Sequence, residues 1–284
     1  MRSVVITGTS TGIGWGTTKV LIEHGFRVFG SVRKMSDANR LSKEFGDRFV
    51  PLLFDVTDEI AVNAAVADVR IKLAGERLVG LVNNAGVAVA GPLLELPVEE
   101  FRYQIDVNLV GVVITSKAFT PLIGTDPQLE GKPGRIINIG SVSGRNAVPF
   151  LAPYAASKFA LEGLSESLRR ELLPFGIDVI LIGPGAVATP IWNKAEQIDI
   201  TPFHNTPYGT ALERLRSHMV SLGKHGLPPE RIGEAVLHAL TATRPRVRYA
   251  ISPQPFQDWM ARRLPKRIVD RMIGGRFGLL PKRR

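Results

Sequence analysis

Val4-Val5-Ile6-Thr7-Gly8-Thr9-Ser10-Thr11-Gly12-Ile13-Gly14 lies near the start of the chain and decides its fold class. Three β-branched apolar residues make a short buried strand, three glycines make a turn, and from about Trp15 to His24 the pattern is helical. Strand, glycine loop and helix in that order form a phosphate-binding unit, because the free N–H groups of a first helical turn point at an anion. Gly8 permits a tight turn, Gly12 lets backbone approach a pyrophosphate, and Gly14 allows close packing behind the loop. Ser10, Thr11 and Ile13 are the other loop residues placed to contact a nucleotide. The Gly-x-x-x-Gly-x-Gly spacing differs from the commoner dinucleotide fingerprint, so by itself it marks a turn suited to some nucleotide.

Outward from this unit the same alternation continues. Arg27 to Val32, Phe49 to Phe54, Leu78 to Val82, Arg135 to Ile139, Asp178 to Ile182 and Arg248 to Ile251 read as further strands, with helical patterns between them. Seven strands alternating with helices imply βαβ units with right-handed crossovers. The predicted fold is therefore α/β, a Rossmann-type doubly wound and mainly seven-stranded parallel sheet with helices on both faces. Its ligand chemistry belongs at the carboxyl ends of the strands.

At 284 residues and 44% apolar content the chain suits one large domain, expected over residues 1–255. With no cysteine, disulfides, thiolate metal sites and cysteine nucleophiles are all excluded. The histidines at 24, 204, 218, 225 and 238 have no metal-ligand spacing, so no metal is expected. No Gly-x-Ser-x-Gly elbow is present, which removes the serine hydrolase reading. The first strand begins at Ser3 and leaves no room for a cleaved leader, and no uninterrupted apolar stretch of roughly 18 residues is found. The expectation is a cytoplasmic protein, with the membrane surface as its one peripheral alternative.

Later motifs follow in a fixed order. Asn83-Asn84-Ala85-Gly86 follows the fourth strand, and Asp106-Val-Asn108-Leu-Val-Gly111 lies in a long helical stretch. Gly134-Arg-Ile-Ile-Asn-Ile-Gly140-Ser141 ends a strand thirteen residues before Tyr154-Ala-Ala-Ser157-Lys158, and Pro184-Gly185 closes another. Together with the glycine loop this series, over roughly residues 3 to 195, resembles the short-chain dehydrogenase/reductase family. Within it, Ser141-Val-Ser-Gly144, Tyr154 to Gly163 and Leu172-Leu-Pro-Phe-Gly176 look most like the 17β-hydroxysteroid and retinol dehydrogenase branch.

The resemblance implies an oxidoreductase that interconverts an alcohol and a ketone or aldehyde. Such a reaction needs a held nicotinamide, an acid/base for the oxygen's proton and polarisation of that oxygen. A helix puts residues four apart on one face, so Lys158 can tune the ionisation of Tyr154, the acid/base. In the family this lysine also bonds the nicotinamide ribose. Ser141 would polarise the substrate oxygen, with Ser143 as its rival. Asn108, unfavourable inside a helix by propensity, would hold a water linking Lys158 to solvent.

Cofactor choice is read at the end of the second strand, where NAD enzymes usually place an acid. Here Val32 is followed by Arg33 and Lys34. A guanidinium can grip a 2′-phosphate in bidentate fashion, and Ser10 can add a hydrogen bond, so NADP(H) is preferred, with NAD(H) as the alternative. Asp55 and Val56 resemble the pair that contacts adenine. Asn83, Ala85 and Gly86 resemble the turn supporting the adenosine side. Pro184, Gly185, Val187 and Thr189 resemble the segment that contacts the nicotinamide carboxamide.

Residues 186–226 break the pattern, with prolines at 190, 202 and 207 and aromatic Trp192, Phe203 and Tyr208, and read as a substrate lid. Its apolar character suits a steroid-, retinoid- or lipid-like substrate. Reduction of small ketones or acyl-chain carbonyls is a second reading, and a non-catalytic NADP-binding sensor or membrane-surface protein a third. The net charge of +10 is concentrated in the tail: Arg262 to Arg284 carries nine Lys or Arg against one acid, Asp270. Residues 256–284 thus read as a basic amphipathic extension. Trp259, Leu264, Ile268 and Met272 would either pack over the cleft or a partner subunit or meet lipid. Nucleic acid is not expected, since no aromatic residues interleave with the basic ones. The family implies a homodimer or homotetramer.

Overall fold

The apolar runs become β1 (Ser3–Ile6), β2 (Arg27–Val32), β3 (Phe49–Leu53), β4 (Gly80–Asn83), β5 (Arg135–Ile139), β6 (Asp178–Pro184) and β7 (Arg248–Ile251). In the computed structural model, which describes residues 1–190 and 200–281, all seven pair in parallel in the order β3-β2-β1-β4-β5-β6-β7. Side chains of Pro202, Leu222, Lys224, Gln257, Asp258 and Arg262 are not described. Strand order reverses between β1 and β4, where Ile6 sits beside Gly30 on one side and Val82 on the other. A ligand crevice opens at such a switch point, because the loops leaving the two strands diverge.

The sheet is covered on both faces. On one, α1 (Gly12–Glu23), α2 (Met35–Phe45) and the helix Pro229–Thr241, here α8, pack Leu21, Leu41, Ile232 and Val236 against Val4, Ile6 and Ile182. On the other, α3 (Glu59–Leu73) and α5 (Gly111–Thr120) pack Val62, Val69, Leu73 and Phe119 against Val5, Leu81 and Ile136. The strands accordingly read as continuous apolar runs, as a sheet buried on both faces requires.

Three expectations change. The stretch Val98–Thr125 is one helical run, comprising α4 (Val98–Ile105), a π-helical turn Asp106–Val110, α5, and a second such turn Pro121–Thr125. By length and composition it could cross a membrane, against the expectation that no stretch would qualify, but half of its apolar window is buried within the protein. Gln104, Asn108, Thr115 and Ser116 inside it are buried and hydrogen-bonded to protein groups, which makes it a core helix.

Second, the segment after β6 is not irregular throughout. A 3-10 turn at Thr201–Phe203 leads to a sixteen-residue helix, α7 (Gly209–Lys224). All three prolines precede it, and from Ala211 onward the apolar spacing is helical. Trp192 lies outside the described residues.

Third, the tail forms α9 (Pro255–Arg263) and α10 (Lys266–Phe277), and α10 packs through Ile273 and Phe277 onto the cluster around Ala211, Leu212 and Leu215. Of the four residues singled out in the tail, Leu264 is half-buried, whereas Trp259 is 47% exposed, Ile268 45% and Met272 56%, so these three do not pack over the cleft within the chain. Ile268 and Met272 sit one helical step away from the stripe that Val269, Ile273 and Phe277 form at four-residue intervals.

Candidate active site

The glycine loop is tied down across the switch point. Thr7 Oγ1 accepts from the backbone N–H of Asn84 at 2.9 Å and of Ala85 at 3.0 Å, while Asn84 Nδ2 donates to the carbonyls of Thr7 and Gly8, both at 2.9 Å. From β2, Ser31 Oγ accepts from the Gly8 N–H at 2.9 Å. Gly8 and Gly12 have φ of 70° and 61°, the left-handed region that favours glycine. A Cβ on Gly8 would stand 2.9 Å from Ala85 Cα, and one on Gly14 would stand 2.1 Å from the Gly8 carbonyl oxygen. One on Gly12 would meet the Thr189 methyl at 3.1 Å, so the segment after β6 reaches back to the loop. Thr11 precedes α1 without a side-chain cap, so the first turn keeps its N–H groups for another acceptor. This cradle, stripped of side chains and rich in free N–H donors, fits the diphosphate of a dinucleotide.

Beyond β2, Arg33 lies 3.5 Å from Asp55, both side chains reaching solvent. Burial pushes the Asp55 carboxyl up, but the Thr57 N–H and hydroxyl and the Arg33 guanidinium outweigh it and hold the group below the usual carboxylate range. Arg40, on α2, donates to the Ser10 carbonyl at 2.6 Å and is a neighbour that sequence spacing did not reveal. Val56 is buried and packs against Gly111, so its side chain serves the core. Gly86 lies against Asn108, Gly185 against Ser252, and Val187 is buried beside Leu227.

The expectation for Asn83 needs correction. It is the last residue of β4, and its amide points between sheet and helix: it donates to Ser116 Oγ at 3.0 Å and Asn138 Oδ1 at 2.9 Å and accepts from Thr115 at 2.8 Å. Asn138 in turn donates to Ser165 at 2.9 Å. Asn84, one residue on and outside the strand, is the one that faces the loop. Alternation of side chains past a strand end is the signal that separates the two.

On the other side of the crevice, α6 (Ala152–Glu171) carries Tyr154 and Lys158. The Tyr154 hydroxyl hydrogen-bonds Ser141, which lies just beyond β5. Burial raises the phenol above its ordinary value and the Ser141 bond pulls against that. Ser141 Oγ also accepts from the Ser143 N–H at 3.0 Å, so Ser143 serves through its backbone and Ser141 is the serine beside the tyrosine. Lys158 is 6% exposed, donates to the Ile139 carbonyl at 2.8 Å and lies 5.8 Å from the Tyr154 ring centre. Burial pulls its ammonium down from 10.5 to about 8.

Asn108 is 1% exposed and occupies the π-helical turn, where it serves as an interior clamp. It accepts from the Val87 N–H at 2.9 Å and donates to the Val87 carbonyl at 3.0 Å and to Ser157 Oγ at 3.2 Å. Ser157 sits on α6 between Tyr154 and Lys158, so this one amide fixes both the Gly86–Val87 segment and the catalytic helix. Single π turns recur at functional sites because the widened turn re-aims a side chain.

Phe150, four residues before Tyr154, lines an apolar cleft with Ile200, Phe203, Leu212, Leu215 and, on the same helix face, Arg216. Phe150 has φ of 64°, a strained value for an aromatic residue, and its ring meets Tyr208 edge to face at 5.7 Å. The Gly91 N–H donates to its carbonyl at 2.8 Å and helps hold it there. Among the described residues no group of three metal-ligating side chains comes together.

The family model described as short chain dehydrogenase matches residues 2–199. A curated relative, the NADPH-dependent 3-dehydrocapnine reductase of Ornithobacterium rhinotracheale, is 37% identical over 274 residues, covering 96% of each chain. Human retinol dehydrogenase 5 is 34% identical over 286 residues, covering 95% of this chain and 87% of its own. Among solved structures, 3-ketoacyl-(acyl-carrier-protein) reductase from Brucella melitensis, complexed with NADH, superposes with a TM-score of 0.70 at 24% identity, covering 89% and 96% of the two chains, a likeness of fold. The glycine cradle, the ordered motifs and these relatives agree: the chain belongs to the short-chain dehydrogenase/reductase family and is an NAD(P)-dependent oxidoreductase with a retinol dehydrogenase-like sequence.

Proposed function

We propose that the protein reduces an apolar ketone or aldehyde, or oxidises the matching alcohol, with NADP(H) as preferred cofactor. The observation that carries this reading is the Tyr154 hydroxyl bonded to Ser141, one helical turn from buried Lys158, on the segment whose Phe150 lines an apolar cleft. A bound nicotinamide supplies or accepts the hydride. The loop Gly8 to Gly14 would hold its diphosphate, and Thr189, with Pro184, Gly185 and Val187, would flank the nicotinamide end. Arg33, Lys34 and Ser10 would meet the 2′-phosphate, Asp55 and Val56 the adenine, and the turn Asn84 to Gly86 the adenosine side.

Tyr154 would give its proton to the substrate oxygen on reduction and take it back on oxidation, while Ser141 donates a hydrogen bond to the same oxygen. Lys158, cationic below about pH 8, would favour the phenolate and so lower the work of releasing that proton. Asn108 would keep α6 in place against the Val87 segment and, with a water, connect Lys158 to solvent. The names of two relatives, a 3-ketodihydrosphingosine reductase and a retinol dehydrogenase, support an apolar substrate, while a D-beta-hydroxybutyrate dehydrogenase among the relatives stands for the small-ketone alternative.

Absorbance of NADPH followed with a panel of aliphatic, steroid and retinoid carbonyls, NADH serving as control, tests the assignment. Tyr154→Phe should stop turnover and keep NADP binding; turnover that survives would end the acid/base role, and equal use of NADH would end the Arg33 argument.

A second reading, peripheral lipid contact, draws on exposed Phe256, Trp259, Ile268 and Met272 beside the basic residues of α9 and α10. Sedimentation with anionic liposomes that Ile268→Glu/Met272→Glu leaves unchanged would sink it.

A further inference from the structure

One side chain in the apolar cleft does not belong there by polarity. Along α7, Leu212, Leu215, Arg216 and Met219 fall at i, i+3, i+4 and i+7, the stripe a helix presents to an apolar surface, and all four line the cleft with Phe150, Ile200 and Phe203. Leu212 and Leu215 are buried, and Arg216 is half-buried. Several other half-buried arginines have partners: Arg135 meets Asp178, Arg248 meets Glu162, Arg70 meets Asp126, and Arg77 donates to the Gly131 carbonyl. Arg216 has no hydrogen bond or ion pair among the described residues. The nearest acid along the helix, Glu213, is exposed and pairs with His204 at 3.7 Å. An arginine at the edge of an apolar cleft is the side chain best shaped to grip a carboxylate, sulfonate or phosphate with two parallel hydrogen bonds.

We propose that Arg216 is a specificity residue that binds an anionic group carried by the substrate. Resting on the oxidoreductase reading above, this narrows the substrate class to amphiphiles: an apolar chain fills the cleft beside Phe150, Leu212 and Leu215, its carbonyl or carbinol faces Tyr154 and Ser141, and an acidic group reaches Arg216. Phe150 links the two ends, since it lines the cleft and precedes Tyr154 by four residues on the same segment. The rival reading is an arginine whose stem covers apolar surface while its head stays in water.

Two measurements on the whole protein decide. Calorimetry compares decanoate with 1-decanol in the presence of NADP, for wild type, Arg216→Leu and Arg216→Lys; leucine continues the stripe, and thermal melting confirms that each variant is folded. Decanoate should bind wild type roughly tenfold more tightly than Arg216→Leu, with decanol unaffected and Arg216→Lys between. Kinetics then compare a graded series of methyl-ketone carboxylates with their methyl esters. The acids should be preferred through KM in wild type and lose that preference in Arg216→Leu, at unchanged kcat. Decanoate affinity equal in wild type and Arg216→Leu overturns the proposal even if the ketones are reduced. Absence of NADPH or NADH consumption with every carbonyl would instead overturn the oxidoreductase reading, and leaves the calorimetric result standing.

Discussion

The polar seam around Asn108 and the apolar cleft around Phe150 are built on opposite terms. In the seam, Asn83, Asn108, Thr115, Ser116, Asn138, Ser157, Ser165 and Lys158 are buried and each has a protein partner. In the cleft, the walls are apolar, the contacts carry no direction, and the one charged residue has no partner among the described residues. A saturated polar network allows one geometry, because each misplaced group is left unsatisfied at a cost of about 1–3 kcal/mol. An apolar wall accepts many shapes of similar volume. On the function proposed above, the reaction would be held rigidly while the substrate range would follow a few side chains on α7 and its neighbours.

The strongest way to break this contrast is at Lys158. Lys158→Met should lower kcat by about 10²–10⁴-fold, and turnover within a few-fold of wild type in stopped-flow assays would remove the lysine from the chemistry. Next, Asn108→Ala strips three hydrogen bonds from Val87 and Ser157 at once. Urea denaturation should show a loss of about 3 kcal/mol; a loss below about 1 kcal/mol would mean the seam is not a coupled unit. On the cleft side, Leu215→Ala should raise KM for apolar substrates roughly tenfold and leave kcat nearly as it was, by removing buried contact area. A fall in kcat instead would show that the cleft also positions the reacting carbon.

Two smaller effects sharpen the picture. Because burial brings Lys158 from 10.5 to about 8, the folded chain holds fewer protons than the unfolded chain between those values. The stability contributed by this group is present above about pH 10.5 and lost as pH falls through about 8. Unfolding free energy should thus rise across that window in wild type relative to Lys158→Met, and parallel pH curves would contradict the burial argument. Finally, Arg33→Ala should reduce the NADPH over NADH preference by roughly tenfold or less, since the group is exposed and screened by solvent.

The chain's local patterns carried much of this. The strand, loop and helix at residues 4–24 and the six later apolar runs were readable, because burial on both faces writes strands as continuous apolar runs and helices as a 3.6-residue period. The placement of Tyr154 and Lys158 on one helix and of Ser141 just past a strand was readable as well, since a four-residue helical spacing and the end of a strand are local facts. What the sequence left open depended on partners far along the chain. Thr7 meets Asn84 across 77 residues, and only that contact tells which asparagine of the pair serves the loop. Asn108 was legible only as a residue out of keeping with a helix interior; that a π turn aims it at Val87 and Ser157 is a tertiary fact. Arg216 carries no local signal at all: it becomes a candidate only when α7 is laid beside Phe150, because which face of a helix is buried, and against what, is decided by packing that no stretch of the chain contains by itself.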